Sequence, residues 1–308
     1  DLHDFASQLS RACPALEYVR LPAGDLSPAE SYQMHFPRIK VLDLTCGGAD
    51  SFDYEPTLYD QIEASARRCT RADSVTLFRC CVLPALATLL LSTPLRGRLT
   101  KLDLSGYTGV SDETILRFAE GCESLVDLQF PNSLILAPEF YAALARARPT
   151  LIDIDMGART FADDACVQIL VEGLALERLR LDSGGTGFVC LSSAIIEIIL
   201  QSRSAQTLTF LAAIDIPHFT SAAMLRLMRG CPRLSHLEWH GPHGMNCMSP
   251  MEDGGNVDEI IALMKARGGG FTLYGAEDCL FPHYGPWKQD AVVMREPESE
   301  LDDSSTSG

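Results

Sequence analysis

Apolar residues recur along the chain in a fixed three-part pattern: one apolar residue, a second three positions on, and a third two positions after that. Leu99, Leu102 and Leu104 show it. Leu125, Leu128 and Phe130 repeat it after a polar turn and an amphipathic segment from Thr114 to Gly121. The same triplet is found at Leu16/Val19/Leu21, Ile39/Leu42/Leu44, Ala72/Val75/Leu77, Leu151/Ile154/Met156, Leu176/Leu179/Leu181, Ala205/Leu208/Phe210 and Leu234/Leu237/Trp239. The central positions are 19, 42, 75, 102, 128, 154, 179, 208 and 237, separated by 23, 33, 27, 26, 26, 25, 29 and 29 residues. Most steps therefore fall at 25 to 29, enough for one short strand and one helix per unit. Successive side chains of a strand alternate between its faces. The second and third apolar positions thus share the core face, and the residues flanking the central one share the opposite face. A lone unit has nothing to cover its apolar side, whereas stacked units cover one another. The expected fold is a single α/β solenoid of about nine or ten repeats, with a parallel sheet on the concave face and helices on the convex face.

Helix signals fall where this scheme needs them. Ser111 or Asp112 is placed to cap a helix carrying Ile115, Leu116 and Phe118. Asp163 or Asp164 precedes Val167, Ile169 and Leu170, and Thr220 or Ser221 precedes Met224, Leu225, Leu227 and Met228. Gly121, Gly173 and Gly230 stand where these helices should stop and are expected in the left-handed C′ position. The long step from Leu42 to Val75 places a protruding loop at 47–56. After Trp239 the pattern lapses into a loop of about sixteen residues, 241–256. A helix over 257–266 and a last apolar stretch at 271–274 are expected to form the C-terminal cap. The solenoid is thus placed at 1–275. A C-terminal extension follows at 276–308, acidic, Ser-rich and expected to be disordered from about 295. The chain opens on a repeat-like helix, 5–12, with no polar capping unit before it and no initiator Met, which raises the expectation of further sequence upstream.

Cysteine recurs three residues before the first strand residue: Cys13, Cys69, Cys122 and Cys231 hold this position, twice as Cys-Pro. Cys80, in LFRC, falls in a second recurring position after the strand. With VSDETILRFAEGCESLVDL as its clearest segment, the region from about 5 to 240 resembles the cysteine-containing leucine-rich-repeat subfamily, whose fold is ribonuclease-inhibitor-like. Many members of that subfamily are F-box proteins, in which an F-box docks onto a cullin-RING ubiquitin ligase and the repeats capture the substrate. The resemblance implies substrate capture on the concave face. No F-box is visible in the 308 residues, so the ligase-docking role attaches to none of them and would need a ligase adaptor held through a missing N-terminal region.

Composition narrows the partner. A formal net charge of −16 disfavours nucleic acid, whose binding needs a basic face, and docking on anionic membranes. The start of the chain is no signal peptide, and the longest apolar run, near 82–91, holds a proline and is too short to span a bilayer. Reduced cysteines in the cytoplasm or nucleus follow as the simpler reading of the eleven. The recurring cysteines lie a repeat or more apart, in no C-x-x-C pairing, and read as buried packing residues. One cluster, Cys231, His236, His240, His243 and Cys247, is metal-like. It fits no standard zinc spacing, and histidines beside a loop are the plainer account. No G-x-S-x-G elbow, G-x-x-x-x-G-K-[ST] loop or H-E-x-x-H motif is present, and GGTG at 184–187 lacks the Lys-Ser/Thr of a phosphate loop. Binding rather than catalysis, with no cofactor or metal, is expected.

The flanking positions of each strand then define the candidate site. They are Tyr18 and Arg20, Asp43, Lys101 and Asp103, Asp127 and Gln129, Asp153 and Asp155, Arg178 and Arg180, and His236 and Glu238. Register would set Asp153 beside Arg178 and Asp155 beside Arg180. These residues either pair across the ladder or form a partner surface, an acidic patch bordered by arginines, and the two readings are compatible. The functions that remain are capture of a protein partner, as the substrate-recognition part of an F-box-type ubiquitin ligase, and a scaffold or inhibitor with no ubiquitin link. A zinc protein is the remote alternative.

Overall fold

The computed structural model describes residues 8, 11–17, 40–45, 71–78, 88, 91–106, 111–131, 136–156, 163–182, 191–214, 216, 220–240 and 256–274. Among the described residues nine strands lie in chain order in one sheet, every neighbouring pair parallel. They are β1 (Val41–Thr45), β2 (Ser74–Phe78), β3 (Lys101–Gly106), β4 (Asp127–Gln129), β5 (Asp153–Asp155), β6 (Arg178–Asp182), β7 (Phe210–Ile214), β8 (His236–His240) and β9 (Gly270–Tyr274). The helices between them are α1 (Asp112–Gly121), α2 (Pro138–Ala147), α3 (Asp164–Gly173), α4 (Ile195–Gln201), α5 (Ser221–Gly230) and α6 (Val257–Ala266). Strict sequence order of parallel strands, with a helix in every connection from β3 to β9, is the expected leucine-rich-repeat solenoid.

Five of the predicted core triplets are buried, while Leu16 of the first is half-buried. Leu99, Leu102, Leu104, Leu125, Leu128, Phe130, Leu151, Ile154, Met156, Leu176, Leu179, Leu181, Leu234 and Leu237 are at most 2% exposed. Each helix lays its apolar stripe against this strip, Ile115 and Phe118 from α1, Val167 and Leu170 from α3, Met224 and Met228 from α5. Phe130, Phe140 and Tyr141 meet edge to face, with centroids 5.3 to 6.1 Å apart. That geometry sets the positive edge of one ring against the negative face of another.

One triplet is corrected by three residues. Leu179 pairs with Leu211, and Leu211 with Leu237, so the central position of β7 is Leu211 and not Leu208. The true triplet is Leu208, Leu211 and Ala213, all buried. An alanine in the third position hid it. Phe210, expected in the core, is partly exposed on the opposite face. The added length is taken up by a 3₁₀ turn, Arg203–Gln206, between α4 and β7. The stretch at 271–274, expected as a cap, instead continues the ladder as β9.

Three of the predicted N-caps form. Ser111 Oγ accepts from Thr114 N at 3.3 Å, Asp163 Oδ1 from Cys166 N at 2.9 Å and Thr220 Oγ1 from Ala223 N at 3.2 Å. The glycines at the helix ends serve a different purpose from the one expected. Among the described glycines only Gly268, just past α6, has positive φ, at 69°. Gly121, Gly173 and Gly230 are the last residues of α1, α3 and α5 and mark close approach between neighbouring repeats. A Cβ at Gly121 would strike Leu91, one at Gly230 would strike Leu200, and one at Gly173 would lie 2.8 Å from the Cβ of Ala145.

The orphan carbonyls at helix ends are met from adjoining repeats, which the sequence reading missed. Arg148 Nε donates to Ala119 O at 2.7 Å and its Nη atoms to Glu120 O and Glu123 O, all at or beyond the end of α1. Arg96 Nε reaches Gly121 O at 2.9 Å from the other side. Arg267 does the same beyond α5, donating to Met228 O, Cys231 O and Leu234 O at 2.8 to 3.0 Å. Ser204 Oγ bridges Leu174 O and Leu176 N after α3. Each cation also meets the negative end of a helix dipole. Cys122 and Cys231 are buried as expected, and burial pushes both thiols up to about 11. Cys13, in the same repeat position, is exposed, against expectation.

The expectations for 1–7, the strand at 18–21, Cys69, Cys80, the loops at 47–56 and 241–255, and the extension at 276–308 lie outside the described residues.

Gly173→Ala should destabilise the fold by roughly 1–3 kcal/mol, because the added methyl meets another Cβ that has no torsion to move it away. Gly230→Ala should cost less, since the end of the Leu200 side chain can swing aside. Urea unfolding of the two variants checks the order.

Candidate functional site

Because the strands are in register, the residues flanking each central position line up in rows across the concave face. The row before the centre runs Lys101, Asp127, Asp153, Arg178, Phe210, His236. The row after it runs Asp103, Gln129, Asp155, Arg180, Ala212, Glu238. The structure thus brings together ten of the predicted site residues. Asp43 is placed by backbone alone, opposite Thr76 in β2. Arg20 and Tyr18 lie outside the described residues.

The rows are charge-paired along the ladder. Lys101 Nζ sits 2.8 Å from Asp127 Oδ2 and Arg178 Nε 2.9 Å from Asp153 Oδ2. The Arg178 guanidinium also lies over the Phe210 ring, 4.2 Å from its centroid. In the second row, with its amide nitrogen turned toward Asp103, Gln129 donates to both carboxylate oxygens of that residue at 3.0 Å. Arg180 is shared. Its Nε lies 3.9 Å from Asp155 Oδ2 and its Nη1 3.8 Å from Glu238 Oε2, two strands away. Ala212 lies between Arg180 and Glu238 in the row, and its short side chain leaves that path clear.

Phe210 and Ala212 are the concave-face positions missed by the sequence reading. The signal was there: LTFLAA offers Leu208, Leu211 and Ala213 once an alanine is accepted in the third place. His236 is exposed and its Nδ1 is 3.0 Å from Ser235 Oγ.

Burial and like charges set the electrostatics. Burial pulls the Lys101 ammonium down, but its hydrogen bond to Asp127 and the charges of Asp127, Asp103 and Asp153 outweigh that and leave it above the usual lysine range. Burial pushes Asp153 up to about 6, and the neighbouring charge of Asp127 pushes the same way against Arg178 and Lys101. Asp127 Oδ1 is buried and accepts no hydrogen bond.

The metal-like cluster does not come together through its described members. Cys231 is wholly buried in the core, whereas His236 is exposed on the opposite face of the sheet. The side chain of His240, and all of His243 and Cys247, lie outside the described residues. Among the described residues no group of three or more His, Cys, Asp or Glu side chains is placed to hold a metal ion, and no helix is long and apolar enough to cross a membrane.

No family model and no curated protein matches the chain. Solved structures similar to it include that of the Rad7 and Elc1 complex in yeast, at 13% identity, covering 80% of this chain and 85% of that one with a TM-score of 0.35. Another is the TLR13–ssRNA13 complex, at 13% identity, covering 68% of this chain and 37% of that one with a TM-score of 0.39.

A double-mutant cycle between Arg178→Ala and Phe210→Ala should give a stability coupling of about 0.5–1 kcal/mol, the strength of a half-exposed cation–π contact. Additive losses would mean that the stack contributes nothing.

Proposed function

We propose that the chain is an interaction module that captures a protein partner on the concave face, between Lys101 and Glu238. The observation that carries this reading is the pair of in-register rows, which present charge, one aromatic ring and hydrogen-bonding groups on a continuous sheet surface. Repeat sheets of this kind offer extended surfaces suited to large partners. Within the two rows five carboxylates (Asp103, Asp127, Asp153, Asp155, Glu238) stand against three cations (Lys101, Arg178, Arg180). That balance, with the net charge of −16, favours a partner with a basic surface and disfavours a phosphate backbone. Binding rather than catalysis is proposed, since an open sheet face provides no closed site in which paired carboxylates acquire acid and base roles.

More finely, the module is read as the substrate-recognition part of an F-box-type ubiquitin ligase, on the strength of the recurring cysteine before the strand at Cys122 and Cys231. A scaffold or inhibitor with no ubiquitin link is the alternative on the same fold.

Affinity capture from the protein's own cells, with wild type and Asp153→Arg compared side by side, tests both levels. A cullin and its adaptor among the captured proteins supports the ligase reading, and their absence beside a stoichiometric partner favours the scaffold. Asp153→Arg should keep cooperative melting and lose the partner by tenfold or more. Equal capture by both proteins would place the binding surface elsewhere.

A further inference from the structure

We propose that Asp153 takes up a proton beside the unpaired oxygen of Asp127, on the neighbouring strand in the middle of the concave face, and that this makes the face respond to mildly acidic pH. The inference comes from the ladder and does not depend on the proposed partner. Asp127 and Asp153 are Cα partners in register on β4 and β5. Neighbouring strands are about 4.8 Å apart, so two carboxylates on the same face of adjacent strands stand directly side by side. Each already has one oxygen engaged on its outer flank, Asp127 Oδ2 by Lys101 and Asp153 Oδ2 by Arg178. Asp127 Oδ1 is buried and accepts nothing. A proton taken from solvent onto Asp153 gives that orphan acceptor a donor and removes the repulsion between the two charges.

The surrounding groups set the balance. From β3 come Lys101 and Asp103, from β4 the neutral Gln129, from β5 Asp155, and from β6 Arg178 and Arg180. Arg178 and Lys101 oppose protonation, while burial, Asp127 and Asp155 favour it and prevail.

The sign follows from linkage. An aspartate whose folded value lies above its unfolded one binds the proton more tightly when folded. The folded state therefore gains stability as pH falls from about 7 through the region near 6 toward the unfolded value near 4. With the proton bound, the row from Lys101 to Arg178 carries two cations against one carboxylate charge, so the local field on the concave face becomes more positive.

Carboxyl-carbon NMR of the full chain between pH 7.5 and 5, together with thermal melting over the same range, tests this. One carboxyl should titrate near pH 6, vanish in Asp153→Asn and move to lower pH in Asp127→Asn. The melting temperature of the wild type should rise as pH falls from 7 to 5.5, and that slope should flatten in Asp153→Asn. If every carboxyl titrates below pH 5, Asp153 is ionised across the range and the proposal is overturned. The wild-type titration decides the matter even if a variant fails to fold.

Discussion

The structure depends on one repeated interaction, the hydrogen-bonded step from each strand to the next. Two residues before each central apolar position, a backbone carbonyl accepts from the following repeat. Glu17 O accepts from Lys40 N; Lys40 O, Asp73 O, Thr100 O, Val126 O, Ile152 O, Glu177 O and Thr209 O each accept two N–H groups at 2.7 to 3.2 Å; and Ser235 O accepts from Gly270 N. These steps fix register from one repeat to the next. A slip of one residue would turn Leu102, Leu128, Ile154 and their equivalents out of the core and drive Lys101 and Asp127 into it. Burying those charges without partners would cost far more than any alternative pairing could return. The apolar triplets and the backbone ladder therefore select the same register.

Everything on the concave face follows from that constraint. Register sets Asp127 between Lys101 and Asp153, and Asp153 between Asp127 and Arg178, so the order of charges in a row is the order of single residues in successive repeats. It also forces two carboxylates together, which adds to the burial that already raises Asp153. The convex side obeys the same spacing. Gly121, Gly173 and Gly230 let a side chain of the preceding repeat pass the helix end, and Arg148 and Arg267 reach back to carbonyls of the repeat before. Adjacent repeats are thus held at the sheet by backbone bonds and at the helix ends by charge-assisted ones.

The fold was legible because periodicity is a collective signal. Five triplets of large apolar residues, at Leu99, Leu125, Leu151, Leu176 and Leu234, predicted core positions correctly, whereas Leu16 of the first triplet is only half-buried. Another failed at β7, where Ala213 took the place of a large residue and Phe210, an apolar side chain, faced outward. A pattern of residue types cannot tell a core phenylalanine from one stacked under an arginine; the register of the neighbouring strands can. The ion pairs Asp153–Arg178 and Asp155–Arg180 were readable from the sequence because they need only spacing. The reach of Arg180 to Glu238 was not, since it depends on the small Ala212 between them. Helix-end glycines were located correctly but assigned the wrong reason, because sequence shows that a Cβ is missing and not what fills its place.

The register of β7 is the point at which sequence pattern and structure part, and the whole concave surface rests on it. Urea unfolding of Leu211→Asp against Phe210→Asp tests it most directly. A buried unpaired charge at Leu211 should cost several kcal/mol or abolish cooperative unfolding, whereas Phe210→Asp should lose only about 1 kcal/mol. The reverse order, with Phe210→Asp the damaging change, would contradict the register and with it the two rows of the site.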